Sequence, residues 1–449
     1  MELKPVLDYI DAHREEYIEL LRMMCRQPSQ ASTGEGIPEM IELVKRSLKD
    51  IQAEPVLCKT PGNPVIYAEM KGESPRIFGF YDHYDVQPVD PIELWDDDPY
   101  SAVIKDGVIY ARGVADNKNG LASKICAVDA YMKVYGKLPC GVKFFVEGEE
   151  EIGSPNLQYF ADHYKHLLDC DGYNWEGGYK NPGGPPEIHL GNKGMLYVEY
   201  HVRTASKDAH SSNAAIIENP AWRLIQALDT LKDDKDRILI DGFYDDVIPM
   251  TDADYKNLAD DNYDENEQMQ YLGISEYING LTGLELRKKL YYEPTANIAG
   301  LWSGYNGQGS KTVLPCEAWA KMDFRLVPGQ DPDKVFSLLK KHLENHGFCD
   351  VEVTKLSGQK PYRCGEESVF VQAVIKALDN LFGKPVIHYM IGGTSPVPIF
   401  CDEKKIPAAM FGCNSNTCQI HAPNEHMEVE SYVDDVKMIA AVMYELGKR

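Results

Sequence analysis

Two residues that can hold a metal ion stand two positions apart in the segment "GFYDHYDVQP". His83 and Asp85 follow an apolar run that predicts a buried strand. Because alternate residues of a strand point the same way, these two side chains share one face. A carboxylate behind an imidazole is how metal sites orient a histidine ligand. For this pair alone, a polar loop after a strand is the competing interpretation.

A run of acidic residues follows a second predicted strand in "FFVEGEEEIGS". Acidic runs usually form solvated surface, but this one stands at the carboxyl end of a core strand, where α/β sheets place their sites. Adjacent carboxylates repel each other unless a cation compensates them or one of them holds a proton. With a divalent cation present, neighbouring Glu150 and Glu151 could divide metal binding and proton transfer between them.

Three more candidates stand in loops beside predicted elements. Asp116 lies in the glycine-bearing loop "GVADNKNG" before a helix, Glu176 follows an apolar segment in "YNWEGG", and His421 precedes the last helix in "QIHAPNEH". Considered singly, Asp116 is open to a second interpretation as an N-terminal helix cap, and the other two as ordinary polar loop residues.

The elements that must position these residues alternate between strand and helix. The segments "NPVIYAEM", "RIFGFYDH" and "GVKFFVEG" are short, apolar and bounded by Gly or Pro, which is typical of buried strands. Residues 5–27 and 121–135 carry apolar side chains at helical spacing. This alternation predicts an α/β layer.

The pattern changes near residue 193. The segments "GMLYVEYHVRT" and "WAKMDFRLVP" alternate polar and apolar residues as half-exposed strands do, and two amphipathic helices accompany them. An acidic, tyrosine-rich stretch at 251–271 is predicted to be a solvated helical face. The sequence therefore predicts one α/β domain, residues 1–192 and 361–449, interrupted by an inserted α+β domain, residues 193–360.

Composition excludes several classes of partner. The 449 residues include 46 basic and 70 acidic side chains, and the net charge of −24 should repel nucleic acid and anionic membrane surfaces. No run approaches the ~18 apolar residues of a membrane helix, and the acidic N-terminal segment does not resemble a signal peptide. The eleven cysteines are scattered without paired spacing, which favours reduced thiols and a cytoplasmic location.

Six short motifs occur in an order and rough spacing that resemble a known family: "HYD", "GVADNKNG", "EGEEEIGS", "WEGG", "DAHSS" and "IHAPNE". They are similar to those of the co-catalytic dizinc amidohydrolases, which include aminoacylase, carnosinase, cytosolic nonspecific dipeptidase and succinyl-diaminopimelate desuccinylase. The resemblance covers nearly the whole chain. It implies a homodimeric metallopeptidase whose catalytic domain, a mixed sheet flanked by helices, is interrupted by a dimerisation or lid domain.

The resemblance also implies a set of imidazole and carboxylate ligands for two divalent ions: His83, Asp116, Glu151, Glu176 and His421. Asp116 would bridge the ions, with His83 and Glu176 on one and Glu151 and His421 on the other. A ligand set without thiolate fits Zn²⁺, Mn²⁺ or Co²⁺, and zinc is the first expectation.

The remaining implied roles concern catalysis and substrate. Asp85 would orient His83, Glu150 would be the general base, and His210 would stabilise the oxyanion from the partner subunit. Groups that resemble the family's contacts to the substrate, including its C-terminal carboxylate, are Thr312, Arg325, Gly393 and Thr394.

Two positions depart from the family pattern. Ile391 stands where dipeptidases often carry an acid that pairs with the substrate's free amino group, and Asn117 stands where many relatives have a second Asp. The first expectation is hydrolysis of dipeptides or short peptides with a free C-terminal carboxylate. The alternatives are an N-acyl amino acid amidohydrolase or desuccinylase and, from another class, a dimeric metal-binding protein without catalysis.

Overall fold

The computed structural model describes residues 1–180, 183–261 and 263–449. Its α-helices are, in chain order, α1 (Lys4–Ala12), α2 (Arg14–Arg26), α3 (Ile37–Asp50), α4 (Lys118–Tyr135), α5 (Leu157–His163), α6 (Pro220–Asp229), α7 (Asp252–Ala259), α8 (Glu265–Leu272), α9 (Gly283–Tyr292), α10 (Pro332–Asn345), α11 (Val369–Phe382), α12 (Pro398–Cys401) and α13 (Val429–Gly447). Its strands are β1 (Val56–Cys58), β2 (Val65–Met70), β3 (Gly72–His83), β4 (Val103–Lys105), β5 (Val108–Tyr110), β6 (Leu138–Glu147), β7 (Gly172–Trp175), β8 (Glu187–His189), β9 (Gly191–Asn192), β10 (Gly194–Arg203), β11 (Ala209–His210), β12 (Thr295–Ser303), β13 (Val313–Leu314), β14 (Glu317–Leu326), β15 (Glu352–Gln359), β16 (Tyr362–Arg363), β17 (Val386–His388), β18 (Ala408–Met410) and β19 (His426–Glu428).

The chain forms two compact units. The first contains residues 1–190, 364–388 and 399–449, and the second contains residues 191–363 and 389–398. Each chain segment of the second unit is therefore bounded on both sides by segments of the first.

The first unit is built on an eight-stranded mixed sheet in the order β1-β2-β6-β3-β7-β18-β8-β17. Strand β3 runs parallel to both β6 and β7, and β18 runs parallel to β7. The mixed α/β architecture expected from the sequence is confirmed. Because parallel neighbours end at the same edge, the residues after β6, β3 and β7 are brought to one side of the sheet.

Helices cover this sheet with apolar faces. All ten residues of β6 are buried, as expected for a strand covered on both faces. Helix α4 ends at Tyr135 and is capped by Gly136, whose left-handed backbone (φ 67°) suits a residue without Cβ. The helix predicted over 5–27 is instead two helices, α1 and α2, separated at His13.

The second unit contains a four-stranded antiparallel sheet in the order β12-β14-β10-β15. Along β14, buried residues alternate with partly exposed ones, so the strand has one face in the core. Leu224 of α6 and Leu339 of α10 are buried in that core against residues such as Phe324 of β14. In the acidic stretch 251–271 the structure has α7 and the first part of α8; Asn262 lies outside the described residues.

Among the described residues, none of the helices combines the length and apolar character needed to cross a membrane. All eleven cysteines are described, and none of them forms a disulfide bond.

Candidate metal centre

The first candidate metal ligands lie at the carboxyl ends of three neighbouring strands. His83 is the last residue of β3 and pairs in register with Glu147, the last residue of β6. Glu176 directly follows the last residue of β7. The residues at the ends of the predicted strands therefore form one cluster. It lies at the carboxyl edge of the sheet, where α/β proteins place their binding and catalytic sites.

Asp116 lies between two histidines. Its Oδ1 atom is 3.1 Å from Nε2 of His83, and its Oδ2 atom is 3.1 Å from Nε2 of His421. The N-cap position of α4 belongs to Asn117, whose side chain makes no capping hydrogen bond. Asp116 thus does not act as a helix cap, and each of its carboxylate oxygens faces a different imidazole.

Each histidine also faces a second carboxylate. Nε2 of His83 lies 3.3 Å from Oε2 of Glu176, and Nε2 of His421 lies 3.1 Å from Oε2 of Glu151. A tetrahedral zinc ion with bonds of about 2.0–2.1 Å has ligand atoms about 3.3 Å apart. The observed spacings match that figure and exceed the ~2.7–2.9 Å of charge-assisted hydrogen bonds. The five predicted ligands therefore form two groups that share Asp116.

Exposure increases across the cluster. The side chain of His83 is 0% exposed, those of Glu176 and Asp116 are 14% and 22% exposed, and that of His421 is 52% exposed. His83 is thus fully buried, and the cluster reaches solvent through His421, where a substrate can approach.

The protein alone gives this cluster a strongly negative potential. Contacts with Asp116 and Glu151 raise the pKa of His421 to about 10, and carboxylates including that of Glu176 outweigh burial to raise the pKa of His83. Burial, with the charge of Glu150 next, raises the pKa of Glu176 well above its usual value. These directions show a site that favours bound cations, and metal ions would displace the protons.

The donor set fits divalent metals in a second respect. Oε1 of Glu151 and Oε2 of Glu176 are buried and have no hydrogen-bond partner among the described residues. Buried carboxylate oxygens without hydrogen bonds are costly unless a cation satisfies them. Imidazole nitrogen and carboxylate oxygen are ligands for Zn²⁺, Mn²⁺ and Co²⁺.

The acidic residues of the run "EGEEE" have two different roles. Glu147 accepts hydrogen bonds from the hydroxyls of Tyr81 and Ser154, and Glu149 accepts them from the Asn63 backbone and the Asn156 side chain. Glu147 and Glu149 are buried, so the run is not a solvated face. These two acids hold the loop, while the next two face the cluster.

Asp85 positions both sides of the cluster. Its backbone carbonyl accepts a hydrogen bond from Nδ1 of His83 at 3.0 Å, which fixes the proton on Nδ1 and directs the Nε2 lone pair at the cluster. The Asp85 carboxylate is 3.5 Å from the same Nδ1 atom. The carboxylate also accepts hydrogen bonds from the backbone N–H groups of Glu150 at 3.3 Å and Glu151 at 3.1 Å.

Glu425 is a positioning residue that was not predicted from the sequence. It is fully buried. Its carboxylate accepts hydrogen bonds from the backbone N–H groups of Gly113, Ala115 and Asp116 and from the side chain of Arg112. The loop that carries Asp116 is thus tied to the segment that carries His421. A glutamate four residues after a candidate ligand is a weak signal, because the partners of its side chain lie about 310 residues earlier.

The predicted substrate contacts lie in the second unit, where they form two local pairs. Nη1 of Arg325 donates to Oγ1 of Thr394 at 2.6 Å, and Gly393 precedes that threonine. His210 of β11 pairs in register with Val313, next to Thr312 on the chain. The His210 and Thr312 side chains are exposed.

Comparison with known proteins extends these observations. The sequence profile of Peptidase family M20/M25/M40 matches residues 79–445. The chain is 27% identical to Beta-Ala-His dipeptidase from Rattus norvegicus, over 99% of this chain and 96% of the relative. It is also 27% identical to Cys-Gly metallodipeptidase DUG1 from Saccharomyces cerevisiae, over 88% and 85%. The crystal structure of the M20 family metallo-carboxypeptidase Sso-CP2 from Sulfolobus solfataricus superimposes with a TM-score of 0.92 at 37% identity, covering 97% of this chain and 100% of that one.

Proposed function

Because the chain belongs to Peptidase family M20/M25/M40, we propose that it is a metal-dependent peptidase that hydrolyses dipeptides or short peptides with a free C-terminal carboxylate. One observation carries the proposal: Asp116 presents each of its carboxylate oxygens to a different histidine–carboxylate pair. This is the arrangement that a dinuclear hydrolase requires, since a single bridging carboxylate can hold two dications ~3.5–4 Å apart.

The proposed ligands are His83, Asp116 and Glu176 for one ion and Asp116, Glu151 and His421 for the other. When bound, two divalent cations, with zinc the first expectation, would supply a water of lowered pKa and polarise the amide carbonyl. His83 and its carboxylate partners would hold one ion away from solvent, and the ion next to the exposed His421 would face the side from which a substrate arrives.

Glu150 is the proposed general base. Burial, together with the charges of Asp116 and Glu151, raises the pKa of its carboxyl to about 7. That pKa belongs to the protein without metal, and bound cations would favour the carboxylate form of Glu150. The carboxylate would take a proton from the attacking water and return it to the leaving amine, so one water and one amide give a carboxylic acid and an amine. Asp85 holds the backbone of Glu150 in place for both transfers.

Arg325 and Thr394 are the proposed contacts for the substrate's C-terminal carboxylate. Their direct hydrogen bond brings a guanidinium and a hydroxyl to one point. A planar guanidinium suits bidentate recognition of a carboxylate. The relatives named as dipeptidases and the one named as a carboxypeptidase are consistent with a substrate that ends in this group.

The second unit is proposed to be the inserted dimerisation or lid domain, with a homodimer as the working assembly. In that assembly, His210 would stabilise the oxyanion of the partner subunit's substrate. Its imidazole is exposed, and within the described part of the chain its hydrogen-bond partners are the hydroxyl and the backbone N–H of Ser212, so Nε2 is available to such a substrate.

A second candidate function rests on Ile391. An isoleucine cannot pair with an ammonium group, so this position supports N-acyl amino acids as an alternative class of substrate. The N–H of Ile391 donates to the carbonyl of Gly191 at 3.0 Å, which fixes its backbone.

Paired substrates test the two candidates. The chelated enzyme is reloaded with Zn²⁺ or Mn²⁺ and given a free dipeptide and its N-acetylated form at equal concentrations. Faster cleavage of the free dipeptide supports the peptidase. Faster cleavage of the acetylated form supports the acyl amino acid hydrolase, and metal-independent cleavage of either form contradicts both.

A further inference from the structure

A second cluster of histidine and glutamate side chains lies in the first unit, on strands that the predicted site does not use. Glu187 and His189 belong to β8, and His388 belongs to β17. The two strands are parallel, with Glu187 opposite Val386 and His189 opposite His388. Since alternate residues of a strand share a face, this register puts all three side chains on the same face of the sheet.

The three side chains converge on one carboxylate oxygen. Nε2 of His189 is 3.2 Å from Oε2 of Glu187, and Nε2 of His388 is 3.5 Å from the same oxygen. One ligand atom from each residue lies within 4.8 Å of the others. The two imidazole rings meet edge to face, with centroids 5.0 Å apart and planes at 78°.

These spacings are compatible with the ligand atoms of a metal site. Charge-assisted hydrogen bonds between imidazolium and carboxylate measure about 2.7–2.9 Å. Ligand atoms of tetrahedral zinc lie about 3.3 Å apart, and the two distances fall on either side of that value. The groups around Asp116 show the same spacing.

Burial and charge agree with this interpretation. The two histidines are 5% and 8% exposed, and the Glu187 side chain is 12% exposed. Although burial opposes ionisation, contacts with the two histidines lower the pKa of Glu187 to about 2, so it is a carboxylate at neutral pH. Two imidazoles and one carboxylate form a common protein ligand set for zinc, with water in the fourth position.

We propose that Glu187, His189 and His388 form a separate zinc site that links strands β8 and β17. Strands β8 and β17 have three residues each and lie at one edge of the eight-stranded sheet. The chain passes into the second unit at Gly191 and again at Tyr389, shortly after these strands. A metal ion joins two short strands, far apart in sequence, at the points where the chain leaves the sheet.

The test counts zinc on the complete chain and does not depend on turnover. Wild-type protein is stripped with a chelator, reloaded with Zn²⁺, desalted and analysed by plasma mass spectrometry. The proposal predicts about three zinc ions per chain for the wild type and about two for the H189Q/H388Q variant. The matched control H163Q/H166Q removes two exposed histidines of the same unit and should retain the wild-type count.

A second measurement applies if the double variant does not fold. Anomalous diffraction at the zinc edge from wild-type crystals should give a peak between Glu187 and the two histidines, apart from any peaks at Asp116. A peak there, or the loss of one zinc in the variant, supports the proposal. Equal zinc counts in variant and wild type, or no anomalous peak at this cluster in zinc-loaded crystals, would overturn it without affecting the proposed function.

Discussion

Glu425 accepts a hydrogen bond from the backbone N–H of Asp116 at 3.0 Å. A fully buried carboxylate therefore fixes Asp116, which is shared by the two ligand groups. The same side chain pairs with the equally buried Arg112 at 2.7 Å. The loop around Asp116 therefore takes its shape from a residue that is not itself a predicted ligand.

Replacement of Glu425 should damage both stability and metal binding. In E425Q the buried guanidinium of Arg112 loses its counter-charge, and the free energy of unfolding should fall by about 3 kcal/mol. Misplacement of Asp116 should weaken metal affinity about 10- to 100-fold. Urea denaturation and competition with a chromophoric chelator measure the two effects. The exposed pair of Glu430 with Arg14 provides the control, since E430Q should cost about 1 kcal/mol or less.

Removal of single ligands should reveal the shared role of Asp116. The D116A variant should lose both ions of the centre, because both groups use its carboxylate. The H421A variant should lose only the more exposed ion and keep the one held by His83 and Glu176. Zinc content per chain measures this, with D106N and H163A as surface controls. Equal losses in D116A and H421A would contradict the bridging assignment.

Stability should depend on pH through Asp435, which is buried next to Lys124 and Ser123. Burial raises the pKa of Asp435 to about 7, whereas an unfolded aspartate titrates near 3.9. Between about pH 4 and 7 the folded chain holds a proton that the unfolded chain has released, so this group makes folding less stable as pH rises. Above about pH 7 both states are ionised, and the penalty is constant.

The D435N variant cannot ionise and should escape this penalty. Its free energy of unfolding, relative to that of the wild type, should increase from about pH 5 to 7 and then level off. Urea denaturation of the metal-free proteins at several pH values measures the difference. A difference that does not change over this range would contradict the raised pKa.

Arg325 should matter only for substrates that end in a carboxylate. In R325M, kcat/KM for a free dipeptide should fall about 10- to 100-fold, as expected for lost charge-assisted hydrogen bonds. The same dipeptide with a C-terminal amide should be cleaved equally slowly by variant and wild type. K321M removes another cation from the same face of β14 and should leave both rates unchanged. An equal loss on both substrates would mean that Arg325 serves the structure and not recognition.

The sequence predicts the parts of the centre that local patterns encode. The strand that ends at His83 and the strand that ends at Glu147 are visible as apolar runs, and parallel pairing then brings their ends together. The helix after Asp116 is visible from its periodicity and is capped by Gly136, as the glycine indicates. These features depend on contacts between near neighbours and on general rules of sheet topology.

Other features depend on pairings that no local pattern contains. The role of Glu425 requires the register of two segments about 310 residues apart, and the meeting of His189 with His388 requires the pairing of two three-residue strands. The division of the acidic run into loop-holding Glu147 and Glu149 and cluster-facing Glu151 follows from tertiary contacts with residues such as Asn63 and Tyr81. Spacing alone does not distinguish among adjacent glutamates.

The most direct test of the proposed mechanism is the turnover of E150Q, measured on the same preparation as its metal content. The variant keeps every proposed ligand and the shape of the side chain, so it should hold as much metal as the wild type. Its turnover of a free dipeptide should fall by about 10²- to 10⁴-fold, the usual contribution of a general base. Turnover within about tenfold of wild type, with metal retained, would contradict the assignment of Glu150 as the base.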